Sequence, residues 1–92
     1  MNKVLVLDYY TRDRCALCDE GILQIKIALS ELREMNVKIN KVNIDEDDAL
    51  QEEYMVRVPV LKHDTTIIQE GVLDFVQIYD YLKANKGKDD IK

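Results

Sequence analysis

Tyr10-Thr11-Arg12-Asp13-Arg14-Cys15-Ala16-Leu17-Cys18-Asp19-Glu20 (YTRDRCALCDE, residues 10–20) joins two different periodicities. Upstream, residues 3–10 (KVLVLDYY) are rich in β-branched and aromatic side chains and too few for a helix, so they read as a largely buried strand. Downstream of Cys15, Leu17, Gly21, Ile25, Ala28, Leu29, Leu32 and Met35 recur at steps of three and four, and Ile22, Leu23 and Ile27 widen that stripe. The spacing predicts a helix of roughly 20 residues, about 30 Å long, stopped at Asn36. The two cysteines therefore sit where a strand has ended and a helix begins.

Further along, Val37 and Ile39, then Val42 and Ile44, alternate with polar residues, the pattern of a half-buried strand whose phase shifts near Asn40 and Lys41. Strand, helix, strand makes a βαβ unit with parallel strands and a right-handed crossover. Asp45 to Asp48 then cap a short helix carrying Ala49, Leu50 and Tyr54. Residues 56–62 (VRVPVLK) read as a strand interrupted by Pro59, which cannot donate to a sheet ladder. A turn at 63–65 leads into a second hairpin arm at 66–70, ended by Gly71. Asp74 and Gln77 make a capping box before a last helix burying Phe75, Ile78, Tyr79 and Leu82. One domain over 1–84 and a charged, frayed tail over 85–92 are expected.

Three residues' separation at the start of a helix brings the second sulfur back beside the first, so Cys15 and Cys18 can close a small ring. Cys15 also faces the unpaired N–H groups at the positive end of the helix dipole, which favours thiolate over thiol. Cys15 is then the expected nucleophile, and Cys18, one turn inside and more shielded, resolves the mixed disulfide. Arg12 and Arg14 stabilise a thiolate at Cys15 while Asp13, Asp19 and Glu20 oppose it, so the sign of the net shift stays open.

Composition removes other classes. At 92 residues the chain holds one domain. Thirteen Lys and Arg against eighteen Asp and Glu give a net charge of -5, and the basic residues are scattered among acids, which excludes a nucleic-acid surface. The longest apolar run, Val4 to Leu7, is closed by Asp8, so neither a membrane span nor a secretory signal is read. A soluble, cytoplasmic, monomeric protein is expected. Two cysteines are too few for a disulfide scaffold, and in a reducing cytosol they are not held as a structural bridge. Zinc needs four ligands, and beyond the cysteines only His63 and carboxylates remain. Two buried, inert cysteines are opposed by the polar loop TRDR just before Cys15.

YTRDRCALCDE, VNIDEDDAL and EYMVRVPVL, in that order and spacing, resemble the thioredoxin superfamily, and most closely the small glutaredoxin-like proteins with C-x-x-C and a downstream Val-Pro. The resemblance runs from Val4 to about Leu82. It implies an α/β, thioredoxin-like fold: a four-stranded mixed sheet in the order β-α-β-α-β-β-α with helices on both faces. It also implies a cis Val58-Pro59 bond facing the cysteines, turning the N–H and C=O of Val58 toward an extended chain that pairs beside Cys15. Arg12 stands three residues before Cys15, where glutaredoxins hold a basic residue for a glutathione carboxylate. Gly71 and Asp74 resemble part of a Gly-Gly-x-Asp segment, with Val72 in place of the second Gly.

Departures are equally specific. The chain has no Trp, Ala16-Leu17 replaces the Pro-Tyr of common glutaredoxin motifs, and Leu17 stands where an aromatic would stack on glutathione. Thioredoxins place a buried acid six residues before the nucleophile; that position is Tyr9 here, and Asp8 points to the opposite face. His63 reads as a solvated turn residue. The expected activity is thiol–disulfide exchange on a disulfide-containing protein or a glutathione mixed disulfide, with no bound cofactor and glutathione as candidate co-substrate. Two alternatives stay open: a non-catalytic adaptor binding an extended peptide at the Val58-Pro59 groove, and a metal-binding protein.

Overall fold

A computed structural model describes residues 4–90, with side chains described through residue 85. Its elements are β1 (Val4–Thr11), α1 (Ala16–Ser30), β2 (Asn36–Asn43), a 3-10 turn (Ile44–Glu46), α2 (Asp48–Tyr54), β3 (Val60–His63), β4 (Thr66–Glu70) and α3 (Phe75–Asp90). The four strands form one sheet in the order β2-β1-β3-β4. β1 and β2 are parallel from Val4↔Asn36 to Thr11↔Asn43, whereas β3 runs antiparallel to both β1 and β4.

Alternation along β1 divides the interior into two parts. Leu5, Leu7 and Tyr9 face a core built with Ile25, Ala28 and Leu32, with Leu61 of β3, and with Leu73, Ile78 and Leu82 around α3. Tyr10 points the other way, toward Ile44, Tyr54 and Val60, with Leu50 and Val58 packed alongside. Helices α1 and α3 therefore cover one face and α2 the other, as the expected fold class requires. Burying a Leu or Ile side chain contributes about 1.5–3 kcal/mol, so the first cluster dominates the folding free energy. The seven-residue α2 leaves part of its face bare: Val4 is 58% and Val6 44% exposed, so β1 is half-buried rather than largely buried. Lys3, placed in that strand by sequence, lies outside the described residues.

Three element boundaries differ from the sequence expectations. α1 ends at Ser30, not near Asn36, because Leu32 N–H bonds to Leu29 O at 3.0 Å and Met35 N–H to Leu32 O at 2.9 Å in successive turns. Those turns keep Leu32 in the core and reverse the chain in time to pair Asn36 with Val4. Residues 56–59 are not strand. The N–H groups of Arg57 and Val58 both return to Tyr54 O, at 2.8 and 3.0 Å, and so are spent closing α2 rather than in the sheet ladder. α3 continues to Asp90, so residues 85–90 are helical where a frayed tail is expected. Residues 91–92 lie outside the described residues.

Caps explain the remaining ends. Asp47 accepts from Ala49 N–H at 2.9 Å and Leu50 N–H at 3.2 Å, opening α2. Asp74 accepts from Gln77 N–H at 3.3 Å, one half of the expected capping box. The other half is made differently: Asp74 N–H donates to the Gln69 side chain at 2.8 Å, because β4 delivers that amide beside the helix start. Among the described residues no helix is long and apolar enough to cross a membrane.

Candidate redox site

Cys15 is the N-cap of α1. Its backbone is extended (φ -118°, ψ 102°), its carbonyl accepts the first helical bond from Asp19 N–H at 3.1 Å, and its Sγ accepts from Cys18 N–H at 3.0 Å. A sulfur thus occupies the place usually given to a Ser, Thr or Asp oxygen. The two sulfurs are joined as a disulfide with Cα atoms 5.1 Å apart, within the ordinary span of such bonds. The pair is asymmetric: Cys15 is half-buried, Cys18 is only 4% exposed. Once the bond is reduced, the same N–H and the helix dipole stabilise negative charge on Cys15 Sγ.

Tyr9 lies beneath the first turn. Its hydroxyl donates to the Cys18 carbonyl at 2.7 Å, and a Cβ on Gly21 would collide with that hydroxyl, which explains the glycine in a helix interior. Burial first, and the Asp19 carboxylate second, push the Tyr9 pKa well above the ordinary phenol value. Tyr9 therefore stays protonated and is a hydrogen-bond donor, not a base. Asp8 is on the opposite face, accepting from Asn40 Nδ2 at 3.0 Å.

The arginines before Cys15 are not equivalent. Arg12 is paired with Asp45 at 3.4 Å, and the same carboxylate accepts from Asp13 N–H at 3.3 Å and from Gln51 Nε2 at 3.3 Å. Asn43 completes the knot, donating to Asp13 Oδ1 at 3.2 Å. Asp45 thus anchors the cysteine loop to the end of β2 and to α2, and it offsets the charge Arg12 was expected to lend Cys15. Arg14 is exposed and left-handed (φ 55°). A cavity of about 330 Å³ opens beside the disulfide, lined by Arg12, Arg14, Cys15, Cys18, Asp19 and Lys41 among others. Sequence reasoning missed Asp45 and Lys41 as parts of the site. Their signal is the parallel register Tyr9↔Lys41 and Thr11↔Asn43, visible only once β1 and β2 are paired.

The Val58–Pro59 bond is cis and Pro59 is fully buried. Since β3 opens with Val60 opposite Tyr10, Pro59 lies at the sheet end from which the cysteine loop leaves β1. The Val58 N–H is not free to pair with an incoming chain, because it is bonded to Tyr54 O. Gly71 N–H donates to Pro59 O at 2.8 Å. Gly71 has φ 83° with open space around a built Cβ, so the backbone angle, not crowding, calls for glycine. Leu17 (47%) and Val72 (73%) are exposed, and Asp74 serves as the α3 cap. His63 is not simply solvated: its Nδ1 is 2.8 Å from the Tyr81 hydroxyl, because the β3–β4 turn packs against α3. Among the described residues no group of three or more His, Cys, Asp or Glu side chains is placed to hold a metal ion.

A thioredoxin-like sheet with a helix-capping C-x-x-C pair defines a redox-active class of domain. The Glutaredoxin-like domain family (DUF836) matches residues 6–83, and the chain belongs to that family. Protein XcR50 from X. campestris is similar in its X-ray structure (35% identity, TM-score 0.63, 85% of this chain and 96% of that one). Its solution structure gives 31% identity and a TM-score of 0.65 over 85% and 92% of the two chains. A mutant thioredoxin from Halobacterium salinarum is 27% identical with a TM-score of 0.54, covering 89% of this chain and 74% of that one. No curated protein matches.

Proposed function

We propose that the protein is a thiol–disulfide oxidoreductase acting on protein disulfides or glutathione mixed disulfides. The observation that carries this reading is the Cys18 N–H···Sγ bond to Cys15 at the positive end of α1, in a pair already able to form its disulfide. In the reduced protein, the Cys15 thiolate attacks a substrate disulfide, forming a mixed disulfide and releasing one substrate thiolate. Cys18 then loses its proton to solvent, which the cavity brings to it, and attacks Cys15 Sγ. The second substrate thiol leaves, the Cys15–Cys18 bond closes, and two electrons have passed to the substrate. A dithiol reductase or two glutathione molecules restore the thiols. Tyr9, held protonated, takes no part in removing the Cys18 proton.

Arg12 supports glutathione carboxylate recognition only after release from Asp45; Gly71, whose N–H is bonded to Pro59 O, and Asp74, whose carboxylate caps α3, are the other residues this reading assigns to glutathione. No resident cofactor is needed. A monomer in the cytoplasm, where glutathione keeps thiols reduced, suits this chemistry. The test is glutathione-dependent reduction of a small mixed disulfide: wild type turns over, Cys15→Ser does not, and turnover unaffected by Cys15→Ser overturns the reading.

A further inference from the structure

Of the residues that lead into Pro59, Met55 is 50% and Val56 89% exposed, whereas Val58 packs against the Ile44, Tyr54 and Val60 cluster. Besides the N–H bonds of Arg57 and Val58 to Tyr54 O, the side chain of Arg57 ties this turn down. Its Nε and Nη2 donate to Glu70 Oε1 at 3.2 and 2.9 Å, and its Nη1 donates to Glu53 Oε2 at 3.0 Å. The guanidinium lies 5.2 Å over the Tyr54 ring, which stacks on Tyr10 of β1 with centroids 4.6 Å apart. One side chain thus ties the end of α2 to the end of β4, next to the Gly71 N–H that holds Pro59 O. A rigid planar fork suits this role as a lysine ammonium would not. The Glu70 hydrogen bond, followed by the charges of Glu70 and Glu53, raises the Arg57 pKa.

We propose that Arg57 is a positioning residue for substrate docking: it locks the 55–58 turn so that Val58 keeps its N–H on Tyr54 O and offers an incoming chain its carbonyl alone. The proposal rests on the oxidoreductase reading for its substrate and names how that substrate is held. An extended peptide beside Cys15 is then selected by one donated N–H, not by a full strand pairing. Among the described residues, no loop backbone hydrogen bond ends on the Val58 carbonyl.

The experiment compares wild type, Arg57→Gln, Arg57→Lys and Glu70→Gln as full-length proteins. Three readouts are taken: KM and kcat for a peptide disulfide and for bis(2-hydroxyethyl) disulfide, Kd for the same peptide with its cysteine alkylated, and hydrogen exchange of the Val58 amide by NMR. Arg57→Gln is expected to raise peptide KM and Kd about tenfold, the equivalent of one hydrogen bond. It also speeds Val58 exchange and leaves kcat for the small disulfide unchanged; Arg57→Lys restores part of the effect, and Glu70→Gln reproduces it if Arg57→Gln does not fold. Unchanged peptide Kd with unchanged Val58 exchange overturns the proposal, as does equal loss on both disulfides. A wild type that binds peptide in the predicted Arg57-dependent way but turns over neither disulfide sinks the oxidoreductase reading and leaves the positioning role standing.

Discussion

The Tyr9 hydroxyl donates to the carbonyl of Cys18 at 2.7 Å and fills the space in which a side chain at residue 21 would begin. A β1 side chain, Cys18 and a helix glycine thereby form one unit under the Cys15–Cys18 disulfide. Tyr9 stands where thioredoxins carry a buried acid, yet it acts differently, fixing the first turn of α1 without accepting a proton.

Gly21→Ala tests that unit. In an unobstructed helix interior the change adds about 1 kcal/mol of stability. Here the new methyl meets the Tyr9 hydroxyl, and overpacking of this kind costs about 1–3 kcal/mol. Urea unfolding is expected to show a net loss, and Tyr9→Phe, which removes the colliding oxygen, is expected to recover most of it. A Gly21→Ala protein as stable as wild type contradicts the packing.

Alkaline stability follows from the same phenol. Burial, then Asp19, raise the folded pKa of Tyr9 above the unfolded value near 10. The contribution is fully present below pH 10 and is lost as the pH rises from there toward the folded value. Unfolding free energy measured from pH 9 to 11 should fall in wild type and fall less steeply in Tyr9→Phe. Tyr10, raised by burial, then by Tyr54 and Asp8, contributes in the same direction.

Asp45 restrains the arginine nearest the cysteines. Asp45→Asn removes the charge opposite Arg12, whose cation then acts on Cys15 across the cavity they share. The pH midpoint of Cys15 alkylation in the reduced protein is expected to move down by on the order of half a unit. An upward shift or none contradicts this electrostatic reading.

Asp47 closes two N–H groups at the start of α2, the helix behind the Tyr10–Tyr54 stack and the Arg57 clasp. Asp47→Ala is expected to cost about 1 kcal/mol in thermal or denaturant unfolding. Asp48→Ala, a change at the next acidic residue, serves as the control with a smaller loss.

What was legible in the sequence is what depends on neighbours along the chain. The strand-to-helix junction at Cys15, the period of α1 and the parallel first crossover all follow from local spacing. The end of α1 was not legible, since Leu32 and Met35 continue the apolar rhythm through turns that are no longer helix. Contacts between distant segments were equally hidden: Asp45 reaches Asp13 across 32 residues, Arg57 reaches Glu70 across 13, and His63 meets Tyr81 across 18. The Val58 N–H shows the difference most plainly, because a Val-Pro read as strand leaves it available, whereas the close of α2 takes it.

The central claim is that Cys15 is the attacking sulfur and Cys18 the resolving one. The most direct measurement is intact mass after exposing folded, reduced Cys18→Ser and Cys15→Ser proteins to a peptide disulfide. Cys18→Ser is predicted to carry one stable peptide adduct, mapped to Cys15, while Cys15→Ser stays unmodified over the same interval. Equal labelling of both variants, or an adduct formed faster on Cys18, contradicts the account.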